Sequence, residues 1–341
     1  MATEDRVRIY NRQGLCITDL RVTVERNLRV SDEGEAEFDI AITDANCRDD
    51  YLRFGNWLLV ENSKLEPWVG MIDEDQSWGK RELHVQAYTP DRQFLYRNVP
   101  RQLTFSGKAG SIFRQLVNIA NREEATVIEV GEVWEGGPSL PDESLSGDTL
   151  QDYLFELVQR TDGEFSFTPV SQKGRLTIYA NWMRRTGHET NLALVESYNL
   201  MDISSMLRVR GKIENELWGY GNGASTNDRA TATAKDLDSI SRYGLRQGSR
   251  VYSDYSEEGA IRNAIRSELN KVREARRVFK LSALDEGQTF EHIRVGNTHP
   301  LSAWSVGWGI DTRVRTIGWY RNPLRGGLDL IVEEVLDDIS E

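Results

Sequence analysis

Leu52-Arg53-Phe54-Gly55-Asn56 returns near the other end of the chain as Ile293-Arg294-Val295-Gly296-Asn297. The segments after it return in the same order: Val69-Gly70-Met71-Ile72 matches Val314-Arg315-Thr316-Ile317, and Leu83 to Tyr88 matches Leu328 to Val335. Arg-x-Gly-Asn is turn chemistry, because glycine supplies backbone freedom, asparagine tolerates left-handed geometry, and the next strand folds back as a hairpin. A pentapeptide alone also recurs by chance between hairpins, but the preserved order favours duplication of one β-module. Three copies of a two-module chain would present six similar faces. Arg53, Gly55, Asn56, Arg294, Gly296 and Asn297 are therefore the candidate interface residues.

Around the first turn, Phe38, Ile40 and Ile42 alternate with Asp39 and Ala41, and Leu83, Val85 and Ala87 alternate with His84 and Gln86. That is the period of a half-buried strand. Further short strands at Val7 to Tyr10, Leu20 to Val24, Trp57 to Glu61 and Trp68 to Ile72 predict an antiparallel β-barrel over 1–100. Over 101–195 the pattern shifts. Ser106-Gly107 leads into Ile112, Phe113, Leu116, Val117 and Ala120, and Ser146-Gly147 into Leu150, Tyr153, Leu154, Leu157 and Val158, each on one helix face and the second stopping near Gly163. With strands at Glu164 to Thr168 and Arg175 to Ala180, this is an inserted α+β domain.

Residues 196–341 are expected to form the second β-barrel, although strands within 196–225 are alternatively placed to complete the first. A helix over about 256–277 has Asp254 or Ser256 as cap, Glu257 and Glu258 in its first turn, and Lys271, Arg273, Arg276 and Arg277 toward its end, which suits the helix dipole. Ile261, Ile265, Leu269 and Val272 form its apolar stripe, so it should pack on a sheet. The predicted fold class is mainly β with an α+β insert: two tandem tube-like antiparallel β-barrels, the inserted domain, and a packing helix.

The composition excludes several functions. A net charge of −12 with no clustered basic segment opposes tight nucleic-acid binding by counterion release, while a weakly repelling wall suits a duct that lets DNA pass. Cys16 and Cys47 are too few for a disulfide framework and read as buried reduced thiols. No apolar run approaches a membrane span, and Met1-Ala2-Thr3-Glu4-Asp5 lacks the apolar core of a signal peptide.

Catalytic and cofactor chemistry finds no foothold. His84, His188, His292 and His299 are scattered without metal-ligand spacing, and His188-Glu189 sits in a polar loop expected to be exposed. Gly219-Tyr220-Gly221-Asn222-Gly223 lacks the lysine and helix of a phosphate cradle, and reads as a flexible turn between barrel strands or a loop at a ring surface. Asp73-Glu74-Asp75 are adjacent, not facing, and read as a solvated hairpin tip. No G-x-S-x-G elbow surrounds a serine. Catalytic, metal and cofactor residues are expected to be none. Trp304, Trp308 and Trp319, with Trp57, Trp68 and Trp78 in the first module, fit barrel core and subunit packing better than a sugar-binding platform.

In arrangement the chain resembles the hub proteins of phage tail tips and baseplates, which are related to the spike proteins of type VI secretion. The segment with Phe54-Gly55-Asn56, Trp68-Val69-Gly70-Met71-Ile72, Leu83-His84-Val85-Gln86-Ala87-Tyr88 and Asp91-Arg92 is similar to their opening module. Leu145-Ser146-Gly147-Asp148-Thr149-Leu150 to Phe165, then Gly174-Arg175-Leu176-Thr177-Ile178, resembles their inserted domain. Asp238-Ser239-Ile240-Ser241-Arg242-Tyr243-Gly244, the helix after it and the strands from Ile293 resemble their second half.

The resemblance implies a homotrimer whose two barrels per chain make a pseudo-sixfold ring, adapting a hexameric tail tube to a threefold tip. Implied partners are the tail tube or distal tail protein ring, a tip, spike or central fibre protein, and the C-terminus of the tape-measure protein. DNA would pass through the lumen without specific binding. Made in the host cytoplasm, the protein would sit in the virion at the distal end of the tail, with no membrane insertion. The chain ends soon after the second barrel, so piercing and receptor binding are expected of other proteins. Competing readings are a tail-associated polysaccharide or cell-wall hydrolase, which needs facing carboxylates, and a carbohydrate-binding adhesin built on the Trp clusters.

Overall fold

The computed structural model describes residues 5–73, 77–98, 104–122, 124–137, 139–144, 149–161, 163–207, 212–223, 229–252, 255–275, 277–304, 309–322 and 326–335. The first module contains β1 (Arg6–Tyr10), β2 (Cys16–Leu20), β3 (Glu25–Arg29), β4 (Glu35–Ala41), β5 (Trp57–Glu61), β6 (Trp68–Ile72), β7 (Ser77–Trp78) and β8 (Glu82–Tyr88), followed by the short α1 (Arg92–Leu95). The predicted alternation is seen in β4 and β8, where Phe38, Ile40, Leu83, Val85 and Ala87 point inward, but Ile42 lies past the end of β4 and is exposed. Strands β5 and β6 are buried on both faces. Leu58, Val60, Trp68 and Ile72 enter the module core, while Trp57, Leu59, Val69 and Met71 pack against the next unit.

That unit holds β9 (Thr104–Lys108), α2 (Ala109–Ala120), β10 (Ile128–Val133), β11 (Ser139–Ser144), α3 (Leu150–Arg160), β12 (Glu164–Gln172) and β13 (Arg175–Met183). Its core joins the apolar faces of both helices, among them Phe113, Leu116, Leu154 and Leu157, to Ile178 and Trp182 of β13. Helix α3 begins at a capping box, in which Thr149 accepts from the Asp152 amide and Asp152 accepts from the Thr149 amide. The helix stops at Arg160, with Thr161 as its C-terminal cap, two residues before the expected Gly163. Ser146-Gly147 lie outside the described residues, and Ser106-Gly107 belong to β9, not to a helix start.

The second half contains β14 (Leu194–Val195), β15 (Leu200–Leu207), β16 (Glu216–Tyr220), β17 (Thr231–Lys235), α4 (Leu237–Tyr243), β18 (Gln247–Val251), α5 (Glu258–Val272), β19 (Val278–Ala283), α6 (Thr289–His292), β20 (Thr298–Ala303), β21 (Ile310–Arg321) and β22 (Leu328–Glu334). The strands offered as a completion of the first barrel lie elsewhere: β15 pairs with β19, and β16 sits in a separate sheet ordered β17-β16-β18. Helix α5 packs on that small sheet, its Ile261, Ile265 and Leu269 meeting Leu217, Ala232 and Ala234. It starts at Glu258 after Glu257, with no side-chain cap; Asp254 is outside the described residues. Gly219 explains the close fit, since a Cβ there would come within 2.8 Å of both Ile261 and Ile265. The Gly219–Gly223 stretch is thus partly strand shaped by helix packing, not a turn between barrel strands.

One strand order occurs twice. In the first module β3-β4-β8-β6-β5 run side by side, and in the second β15-β19-β22-β21-β20 do so, all antiparallel. Register makes the match residue by residue. Ile72 pairs with Ala87, which pairs with Ala36, which pairs with Arg26. Thr316 pairs with Val332, then Phe279, then Met206. Ile72 is therefore equivalent to Thr316, one residue from the Ile317 that sequence matching selects, because β21 carries an irregularity between Thr316 and Gly318. The two modules are continuous with each other. Strand β3 pairs with β21 through Gly318↔Arg29, Trp319↔Leu28, Tyr320↔Asn27 and Arg321↔Arg26, so both run into one 14-stranded sheet. Two edge strands thereby satisfy each other's backbone groups, and one apolar core spans both halves.

Candidate functional site at the junction of the repeats

The repeated turns have the same construction. Gly55 and Gly296 adopt φ of 83° and 93°, the left-handed region where glycine is unstrained. The Gly55 amide donates to Ile72 O at 2.9 Å and the Ile72 amide to Asn56 O at 2.8 Å; the Gly296 amide donates to Thr316 O at 2.8 Å and the Thr316 amide to Asn297 O at 2.9 Å. Each asparagine then ties the turn backward. Asn56 Nδ2 donates to Tyr51 O at 2.9 Å, and Asn297 Nδ2 to His292 O at 2.9 Å.

Their surroundings differ. The turn of Arg294, Gly296 and Asn297 lies on the first module: Arg294 donates to Lys64 O at 3.2 Å and Phe290 O at 3.0 Å, and the Val295 amide to Glu66 Oε1 at 2.9 Å. Glu66 also accepts from the Trp319 indole at 2.7 Å, and burial raises its pKa against these hydrogen bonds. The turn of Arg53, Gly55 and Asn56 is instead met by Arg12, which donates to Phe54 O at 3.1 Å. Arg53 is exposed, 3.5 Å from exposed Asp49, and Phe54 is 44% exposed beside a cavity of about 230 Å³ lined by Arg12, Trp57, Asp73, Tyr96 and Thr126 among others. The structure thus keeps the two triplets in separate modules, one in an internal joint and the other with Arg53 exposed and Asn56 buried.

The joint continues along β3 and β21. Asp5 accepts from Arg26 at 2.7 and 3.1 Å, from Arg321 at 3.1 Å and from Asn62 at 2.8 Å. This knot is nearly closed to solvent, Arg26 fully so. Nearby, Tyr320 donates to Glu25, Asn322 donates to Glu25 at 2.7 Å, and Lys64 pairs with Asp285. Sequence reasoning missed Asp5, Glu25, Glu66 and Arg321. They are single charged residues with no spacing among them, and only the folded sheet brings them together.

The other features take plain places. Asp73 is buried, accepting from Arg92 at 2.5 Å and Tyr96 Oη at 2.6 Å. It is not a solvated tip; Glu74 and Asp75 are outside the described residues. Asp91 and Glu33 share Gln151, which donates to them at 3.1 and 3.0 Å, and burial with the Glu33 charge beside it pushes Asp91 to about 7. This pair tacks α3 of the inserted unit onto the first module, and Asp91 is wholly closed to solvent. His188 and Glu189 are exposed as expected, while His299 is fully buried, its Nδ1 2.7 Å from Thr190 Oγ1. Trp319 is buried and Trp304 is 56% exposed, so the two do not share one open surface; Trp308 is outside the described residues. Cys16 is exposed and Cys47 half-buried, contrary to two buried thiols. Among the described residues no cluster of His, Cys, Asp or Glu could hold a metal ion, and no helix is long and apolar enough to cross a membrane.

No family model matches the sequence, and no curated protein matches it significantly. Solved structures do match, among them phage tail proteins and a type VI secretion component. A tail protein from Neisseria meningitidis is 15% identical with a TM-score of 0.64, covering 97% of this chain and 96% of that one. The prophage tail protein gp18 from Listeria monocytogenes is 12% identical with a TM-score of 0.63, covering 98% and 96%. An Escherichia coli component of the type VI secretion system, itself described as similar to the bacteriophage T4 tail proteins gp27 and gp5, is 12% identical with a TM-score of 0.51, covering 93% and 74%. The chain has the fold of phage tail proteins. It is the mainly β, α+β-decorated fold that tail and secretion-spike components share.

Proposed function

We propose that this protein is a non-enzymatic structural hub of a phage tail tip or baseplate. Three copies form a pseudo-sixfold ring that adapts a hexameric tail tube to a threefold tip or spike and lets DNA pass. The observation that carries this reading is the duplicated strand order, β3-β4-β8-β6-β5 and β15-β19-β22-β21-β20, joined edge to edge within one chain. A ring built from such chains offers six similar docking faces on one side while retaining threefold symmetry. Tube or distal tail ring, tip or fibre, and the end of the tape-measure protein are the partners this geometry serves, at the distal end of the virion tail.

Catalysis does not fit the same residues. A hydrolase needs two carboxylates facing across an open cleft, whereas Asp91 is sealed and Asp73 is neutralised by Arg92. Electron microscopy of the purified protein, with its mass measured in solution, tests the proposal. A threefold ring with six similar lobes is expected; a twofold dimer built on one self-complementary patch would overturn it.

A further inference from the structure

Helix α5 closes one face of the small sheet β17-β16-β18 and leaves the other open to solvent. Leu217 and Gly219 of β16 turn toward the helix, so Trp218 and Tyr220 between and beyond them turn away from it. We infer that this open face binds a neutral oligosaccharide, with Trp218 and Tyr220 as the stacking platform. The inference makes no use of the ring, and either can fail without the other.

Strand register sets three rows across the face: Thr231, Tyr220 and Val251; Thr233, Trp218 and Ser249; Lys235, Glu216 and Gln247. Trp218 stands at the centre, 39% exposed. With Tyr220, Gln247 and Ser249 it lines a shallow trough of about 600 Å³. Single exposed apolar side chains are ordinary on protein surfaces. Here a second aromatic ring follows two residues along the same strand, roughly 7 Å away, and both rings are flanked by hydroxyl groups. Among the described residues the hydroxyls of Thr231, Thr233 and Ser249 have no hydrogen-bond partner in the protein. Each is able to donate and to accept. A sugar ring carries C–H groups on its faces and hydroxyls around its edge. Stacking it on the indole buries the first and brings the second within reach of the rim. Two aromatic rings in line suit a chain of sugars better than a single one.

Charge decides the class of sugar. Lys235 pairs with Glu216 at 2.7 Å, Lys212 with Glu214 at 3.1 Å, and Arg250 with Glu214 at 2.7 Å and with Glu268 of α5. Every one of these cations is already compensated, so none calls for a carboxylate or phosphate on the ligand. A protein partner would also want a broad apolar centre, whereas six of the nine positions on the face are polar. The same pairs stiffen the platform. Glu216 accepts from Gln247 at 2.8 Å as well as meeting Lys235, which ties all three strands together, and Arg250 pins β18 to the helix. A surface ordered before the ligand arrives loses less on binding.

Titration of the full chain with cellotetraose, maltotetraose, chitotetraose and tetragalacturonate, followed by ligand-observed NMR, tests the site. At least one of the three neutral chains is expected to bind with a Kd on the order of 1 mM or tighter. Preference for the acetamido-bearing chitotetraose assigns the site to cell-wall-type glycans, and preference for the plain glucose chains assigns it to surface polysaccharides. Trp218→Ala should weaken the binding about tenfold, and Thr233→Val and Ser249→Ala about threefold each. Trp218→Phe should keep most of it. All four variants are expected to unfold at the parent's midpoint, because the altered groups face solvent; Ser249→Ala decides the matter should Trp218→Ala fail to fold. Absence of binding by all three neutral chains, preference for tetragalacturonate, or affinity unchanged in the folded variants would overturn the site and leave the ring reading standing.

Discussion

At the scale of single residues, His299 and Asp91 carry the clearest consequences. His299 occupies the position in β20 that Leu58 holds in β5, immediately after the paired Trp57 and Thr298. Burial lowers its pKa to about 4 and leaves Nε2 without a partner. An unfolded histidine titrates near about 6.5, so between those values the unfolded chain binds a proton that the folded chain refuses. Its contribution to stability is present above about pH 6.5 and lost as pH falls toward 4, on the order of 1–3 kcal/mol. His299→Leu copies the first module and removes the unpaired nitrogen; its urea midpoint is expected to fall less between pH 7 and pH 4.5 than that of the parent. Asp91 has the opposite sign. Burial raises it to about 7 while an unfolded aspartate titrates near about 3.9, so its contribution is full at low pH and declines as pH rises through 7. Asp91→Asn should flatten that decline, and an unchanged slope between pH 5 and pH 8 would count against a protonated Asp91.

At the scale of elements, the turns and caps decide where strands and helices begin. A side chain at Gly296 would place its Cβ 2.5 Å from Thr186 O in a left-handed backbone. Gly296→Ala should therefore cost roughly 2–4 kcal/mol, whereas at Gly55 the nearest atom is the movable Arg12 guanidinium and the loss should be smaller. Paired chemical denaturation of the two variants compares them directly. Thr149→Ala, which removes the α3 capping box, should cost about 1 kcal/mol. These elements also mark how far the sequence could be read. The turns, the alternation in β4 and β8, and the apolar stripes of α2, α3 and α5 follow from local periodicity, so they were legible. The Trp57–Glu61 and Trp68–Ile72 strands were legible as strands but not as two-sided, because their second apolar face is covered by the inserted unit, far along the chain. That α5 would bring its own sheet depended on Gly219 and on the parallel pairing of β16 with β18, which no local pattern encodes. The joint was least legible of all, since Asp5, Arg26 and Arg321 share no motif.

At the scale of the whole molecule, the joint between modules fixes how the two halves of the large sheet meet, and the Arg26–Asp5–Arg321 knot is its most closed part. Two buried guanidinium groups have their charge compensated here only while that carboxylate is present. Asp5→Ala strands buried cations and should cost about 3–5 kcal/mol, read as a lowered midpoint in thermal and denaturant unfolding. A different substitution separates stability from specification. The position in β15 equivalent to Arg26 carries Met206, so Asp5→Leu with Arg26→Met and Arg321→Met gives the joint the apolar chemistry of that counterpart. Replacing a buried ion network by apolar groups of similar volume is often neutral or stabilising, and the triple variant is expected to unfold no earlier than the parent. With the joint apolar, however, the charge that marks β3 and β21 as each other's partners is gone. Mass measurements should then show additional species with exchanged modules, while the parent gives one species. A triple variant as uniform in mass as the parent would mean that the covalent link between modules, and not the buried charge, sets which strands meet at the joint.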